Sequence, residues 1–203
     1  NFLWDGIKRD RLVWVGDMHP EVMTILSVFG YNDVVPKSLD LICDITKLPE
    51  YMNGISSYSM WWILIHYQWY LNNGDLAYLQ ENQDYIFSLL DLLEKKMDAD
   101  GKENLDGMRF LDWPTSPNKE AIHAGLQSMM IMTFDVGQKI ATILKNKEKA
   151  SQYAQTVQLL KKYIPDANGN KSGSALLALS GLEDAKTINK RTLAVNPTDS
   201  ISS

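Results

Sequence analysis

The sequence has a single cysteine, Cys43, so no disulfide can form within it, and zinc sites built on two or more cysteines are excluded. A lone thiol is compatible with periplasm or cytoplasm alike. Cys43 sits in the run Leu41-Ile42-Cys43-Asp44-Ile45 with no histidine beside it to activate sulfur, and a buried, unreactive side chain is expected. There is also no dense Lys/Arg cluster. With 20 basic against 25 acidic residues the net charge is −5, which argues against nucleic acid or an anionic membrane surface as the main partner. No run forms a phosphate-cradling glycine loop. Among His19, His66 and His123 no pair has the i, i+4 spacing of a helical metal site, so no metal is expected, and His66 and His123 read as satisfied interior or pocket-lining residues. No cofactor is expected either. The opening Asn1-Phe2-Leu3-Trp4-Asp5 lacks a basic region, an apolar core and a cleavage site, and reads like the middle of a domain.

Charge is missing locally as well. Residues 51–74 contain no Asp, Glu, Lys or Arg, yet Ser56, Ser57, Ser59, His66, Gln68, Asn72 and Asn73 speak against a membrane span. A helix buried on most sides fits this stretch better.

No alternating β pattern persists beyond a few positions, whereas apolar residues recur at three- and four-residue spacing throughout. The spacing predicts helices over 20–29, 35–46, 55–72, 76–98, 119–146, 147–163, 172–181 and 183–193. Pro20 and Pro36 suit first-turn positions, and Asn73-Gly74-Asp75 reads as a tight turn between helices. The clustered Met129, Met130 and Met132 read as gap-filling core. Helices 55–72 and 119–146 hold long uncharged stretches, while those that follow them carry Glu94, Lys95, Lys96, Lys147, Lys149, Lys161 and Lys162. A buried helix followed by a half-exposed one, repeated, suits an α/α toroid of inner and outer helices, and an ordinary helical bundle gives the same alternation.

Two long connections interrupt this pattern, residues 1–19 and 98–118. Long connections in a compact domain are more often functional than incidental. The first holds Asp5, Asp10 and Asp17 between and beside Trp4 and Trp14; the second holds Met108-Arg109-Phe110-Leu111-Asp112-Trp113. Carboxylates beside flat aromatic faces suit sugar processing: one acid protonates a leaving oxygen, others grip hydroxyls, and a ring carries the sugar. A charged loop held by Asp–Arg pairs is the alternative.

The run Asp5-Gly6-Ile7-Lys8-Arg9-Asp10-Arg11-Leu12-Val13-Trp14-Val15-Gly16-Asp17 resembles the signature of bacterial α-L-rhamnosidases, inverting glycosidases with an (α/α)6 catalytic barrel. The resemblance implies that Asp5 binds sugar hydroxyls, that Asp10 is the general acid, and that Trp14 and Asp17 line the pocket; Arg9, between them, joins the substrate-binding set. Where that family usually has Glu, this chain has Asp10, one methylene shorter. Phe110-Leu111-Asp112-Trp113 resembles the family's Asp-Trp element near the pocket, and Trp61 or Trp62 its tryptophan from the preceding inner helix. The family's general base, a Glu far downstream, has no identified counterpart before Ser203.

The expectation is therefore an all-α, six-hairpin glycosidase domain, present over residues 1–203 in part. It would act on terminal α-L-rhamnosides, with carbohydrate as its partner; a non-catalytic carbohydrate-binding or interaction protein on the same barrel is the alternative. About eight helices against about twelve in a closed double ring correspond to roughly four hairpins of six. Three structural expectations follow. Asp5, Asp10, Trp14 and Asp17 should meet Asp112 and Trp113 on one concave face. The uncharged faces of helices 55–72 and 119–146 should be left partly bare. A general acid must hold its proton, so Arg9 and Arg11 should point away from Asp10 or pair with Asp5 or Asp17.

Overall fold

The computed structural model describes residues 1–6 and 8–196; Ile7 and residues 197–203 lie outside them. Among the described residues the chain is helical, with isolated β-bridges only. The helices are α1 (Val15–Val28), α2 (Val34–Ile45), α3 (Ser56–Asn73), α4 (Leu76–Glu81), α5 (Gln83–Glu94), α6 (Lys119–Ile143), α7 (Lys147–Leu160), α8 (Lys171–Leu179) and α9 (Ala185–Ile188). A short π-helical turn, Asn189–Leu193, continues α9.

Short polar side chains start the later helices. Asn118, Asn146, Asn170 and Asp184 each accept a hydrogen bond from a backbone N–H in the first turn of α6, α7, α8 and α9, which satisfies donors that a helix start leaves open. Gly74 ends α3 in the left-handed region at φ +67°, its N–H bonded to the Tyr70 carbonyl at 2.8 Å, and Asp75 caps α4 two residues after α3 ends. The single helix expected over 76–98 is two, because Asn82 bonds back to the Tyr78 carbonyl through Nδ2 at 3.1 Å and α5 starts afresh at Gln83. At α1 the helix begins five residues earlier than expected, so Pro20 lies in its second turn and has no N–H to offer the Gly16 carbonyl.

The long helices pack in chain order: α1 on α3, α3 on α6, and α6 on α8, with α7 folded back along α6. On the outer side α2 covers α3, where the Trp62 indole N–H donates to the Leu39 carbonyl at 3.1 Å. This is the succession of inner and outer helices that hairpin toroids require. The uncharged faces of α3 and α6 are not bare, contrary to expectation. In α3 Met60, Trp62, Ile63, Ile65 and Trp69 are buried, and in α6 Leu126, Met129, Met130, Phe134 and Ile140 are too, because their neighbours within this chain already cover them. Exposed apolar side chains gather elsewhere, at Val28, Phe29 and Tyr31 where α1 ends, and others lie at Leu179, the last residue of α8, and at Val195. Cys43 is half-buried, and burial together with Asp44 and Asp40 raises its thiol to about 11, so the sulfur stays protonated and unreactive. No described helix is long and apolar enough to cross a membrane.

Candidate active site

Both long connections fold into tight, hydrogen-bonded forms. In the first, the Gly6 carbonyl accepts from the N–H groups of Arg9 at 2.7 Å and Asp10 at 2.8 Å, and Asp5 pairs across to Leu12, so the segment turns back on itself before entering α1. Gly6 adopts φ +59°, a conformation that L side chains rarely hold. Asn53 anchors the exit of this loop: its Nδ2 donates to the Val13 carbonyl at 3.1 Å and its Oδ1 accepts from the Val15 N–H at 3.2 Å. In the second connection, Met108 is stitched to the start of α3, with its N–H on the Gly54 carbonyl at 3.1 Å and its carbonyl accepting from Ser56 N–H at 3.3 Å. Ser57 Oγ donates to the Phe110 carbonyl at 2.6 Å.

Between them lies a cavity of about 290 Å3 lined by Asp5, Arg9, Trp14 and Asp17 from the first connection and by Met108, Phe110, Asp112 and Trp113 from the second. Tyr58, on α3, joins the two. Its ring meets Trp14 edge-on at 6.3 Å and Phe110 at 6.4 Å, and Phe110 in turn meets Trp113 at 5.1 Å, so four aromatic rings run in one row along the cavity. Sequence reasoning missed Tyr58, because a tyrosine in an uncharged helix looks like core. Two helix glycines make room for the lining: a Cβ on Gly16 would lie 2.2 Å from Tyr58 Cε1, and one on Gly125 would lie 2.1 Å from Leu111 Cδ1. Gly16→Ala should therefore displace Tyr58. The loss of stability should be about 1–3 kcal/mol, the usual cost of overpacking, read as a lower midpoint in denaturant. A midpoint equal to that of the parent would mean that the ring swings aside freely.

The carboxylates divide into two groups. Partial burial, then the charge of Asp5, raises the pKa of Asp17; partial burial, then Asp17 and Asp5, does the same to Glu21 one turn later. Tyr58 is raised to about 12 by burial and by the same two aspartates. Burial and like charge thus act on Asp17 and its neighbour Glu21 in the same direction, upward. Asp10 is different, and corrects an expectation. Arg9 grips it with both ends of its guanidinium, Nε to Oδ1 at 2.6 Å and Nη2 to Oδ2 at 2.6 Å, and Trp14 Nε1 donates to Oδ2 at 3.2 Å. The Arg9 hydrogen bonds hold the Asp10 carboxyl below the usual range. Adjacent side chains on one tight turn reach each other easily, which is why Arg9 does not point away. Asp10 consequently sits beside the cavity, bonded to two of its lining residues, rather than in the lining itself.

Two tryptophans expected at the site are elsewhere. Trp62 is 0% exposed, with its ring against His66 and Tyr85, and a sugar cannot reach it. Trp61 is half-buried and packs on His19 at 4.8 Å, outside the cavity lining. They are neighbours on a helix whose faces both find cover, Trp61 from α1 and Trp62 from α2. His66 is interior but not satisfied, because its Nε2 has no partner. His123 is bonded on both nitrogens, to Glu103 and to Tyr163. Among the described residues no group of three or more His, Cys, Asp or Glu is placed to hold a metal ion.

A sequence model described as the bacterial alpha-L-rhamnosidase 6 hairpin glycosidase domain matches residues 3–195. No curated protein matches the chain.

Proposed function

The chain belongs to the bacterial α-L-rhamnosidase six-hairpin glycosidase family, and on that footing we propose that it hydrolyses terminal α-L-rhamnosides with inversion. The observation that carries this reading is the cavity in which Asp5, Asp17 and Asp112 face the row of Trp14, Tyr58, Phe110 and Trp113. Carboxylates there grip sugar hydroxyls, and aromatic faces carry the ring and its methyl group. At about 290 Å3 the space suits one terminal sugar rather than a chain threading through.

Asp10 is the proposed general acid. It gives its proton to the glycosidic oxygen while the family's downstream carboxylate, which has no identified counterpart in residues 1–203, draws a proton from water on the opposite face, and attack by that water inverts the anomeric carbon. For this Asp10 must leave the grip of Arg9, since a carboxylate paired to guanidinium is a poor acid. Arg9 lines the cavity, and a substrate hydroxyl that accepts from its guanidinium would loosen the pair.

The same pair favours a second reading, a carbohydrate-binding protein that kept the cavity and lost the acid. Residues 1–203 by themselves are not expected to turn over substrate. Assay of the complete protein, which supplies the downstream carboxylate, on 4-nitrophenyl α-L-rhamnopyranoside therefore separates the two readings, with Asp10→Glu alongside. The longer side chain reaches further towards the glycosidic oxygen, and a hydrolase limited by Asp10 should gain at least about tenfold in kcat/KM. Binding of L-rhamnose without turnover in either form would support the second reading. Absence of both binding and turnover would overturn both.

A further inference from the structure

Glu103 lies in the second connection, 2% exposed, and is the most deeply buried carboxylate among the described residues. Every oxygen it has is used. Oε2 accepts from the Leu105 N–H at 2.9 Å and from Arg109 Nη1 at 2.9 Å; Oε1 accepts from Arg109 Nη2 and from His123 Nδ1. Arg109 Nη1 also donates to the Leu105 carbonyl at 2.8 Å. The backbone of Glu103 is fixed as well. Its N–H donates to Gln127 Oε1 at 2.7 Å, and Gln127 Nε2 ties α6 to the Gly101 and Leu160 carbonyls at 2.7 and 2.9 Å. Burial pushes the Glu103 carboxyl up, but the bonds from His123 and Arg109 outweigh it and keep it ionised.

A buried ion pair of this kind adds little net stability, because desolvation offsets most of the attraction and apolar residues of similar volume often serve as well. Its consequence lies in register. From Leu111 onward consecutive residues line the cavity, but over residues 108–110 the two faces alternate, Met108 and Phe110 lining it while Arg109, between them, reaches Glu103 on the other side. That is the alternation of an extended chain, in which a slip of one residue exchanges the two faces. The backbone bonds from Met108 to Gly54 and Ser56 would survive in a slipped pairing of similar pattern, since backbone groups are alike at every position. A forked guanidinium seated on a buried carboxylate would not.

We propose that Glu103 and Arg109 are positioning residues that lock the register of the cavity wall, so that Met108 and Phe110 face the sugar and Asp112 and Trp113 follow at the mouth. The effect on sugar rests on the function proposed above; the lock itself does not. The discriminating variant is Glu103→Leu combined with Arg109→Met in the full chain, which removes both charges together. Its thermal midpoint should fall by only several degrees, the cost of leaving the Leu105 N–H and His123 Nδ1 without their acceptor. Exchange of the Met108 and Ser56 amides should nevertheless become about tenfold faster, and L-rhamnose should bind about tenfold more weakly. Arg109→Lys, which keeps the charge and loses the fork, should show a smaller change in the same direction and serves as the readout if the double variant does not fold. Parent-like amide exchange in a folded variant overturns the lock. Faster exchange in the variant, alongside a parent that binds no L-rhamnose, upholds the lock and removes the sugar reading.

Discussion

Trp62→Ala should cost about 3–5 kcal/mol, the range for a large aromatic cut out of a closed core, and Trp113→Ala should cost less than about 0.5 kcal/mol. The first ring is 0% exposed and held by its indole N–H on the Leu39 carbonyl, so its removal leaves a void between α2 and α3 and breaks the bond that ties the two helices there. The second ring is 76% exposed and touches Phe110 on one side only. Urea unfolding of both variants reads the difference directly. In sugar binding the order should reverse. Trp113→Ala should weaken L-rhamnose about tenfold, in line with loss of one stacking face, while any Trp62→Ala chain that stays folded should bind as the parent does. Equal stability losses in the two variants would mean that the aromatic row is part of the core rather than a wall of the cavity.

That contrast marks where the sequence was readable and where it was not. The helices were legible because apolar spacing at three and four residues is a local property, and α3 and α6 extend nearly as the spacing predicts. Their boundaries were less so: Pro20 reads as a first-turn residue from sequence, and only the packing of Val15 and Met18 into the core carries α1 back by a further turn. The acids and the Asp-Trp element were legible as a motif, since Asp5, Trp14, Asp17, Asp112 and Trp113 keep their spacing regardless of what surrounds them. Tyr58, Trp61 and Trp62 were not. All three lie on one uncharged helix, where composition says that every face is covered and cannot say by what. Tyr58 meets a gap left by Gly16, Trp61 meets His19, and Trp62 meets α2. These neighbours come from α1 and α2 rather than from α3 itself, so the distinction exists only once the chain is folded. The grip of Arg9 on Asp10 belongs to the same class, being decided by a turn around Gly6 that adjacent residues do not announce.

Acid should weaken this chain in part through a residue that plays no part in the cavity. His66 is fully buried in α3, its ring 3.9 Å from that of Trp62 and stacked on Tyr78 at 5.5 Å. Its Nδ1 donates to the Trp62 carbonyl at 2.9 Å, and its Nε2 meets no acceptor, so a second proton would enter the core without a partner. Burial, only partly offset by the bond to the Trp62 carbonyl, lowers the ring to about 4 from an ordinary 6.5. Above 6.5 neither the folded nor the unfolded chain protonates this residue, and its contribution to stability is complete. As pH falls from 6.5 to about 4 the unfolded chain takes up a proton that the folded chain refuses, and stability drops; below about 4 both take it and the loss stops. Across that window the loss is about 3 kcal/mol, and about 2 kcal/mol of it should be gone by pH 5. Asp17, Glu21 and Asp40 work in the opposite direction, because burial raises all three and their protonation relieves the fold as pH falls. The measurement must therefore isolate the histidine. Urea unfolding of the parent and of His66→Met at pH 7.5 and at pH 5 does so, since methionine fills similar space and cannot be protonated. The variant should gain about 2 kcal/mol on the parent between the two pH values; a constant difference would show that the folded core gives the His66 ring a place for its second proton.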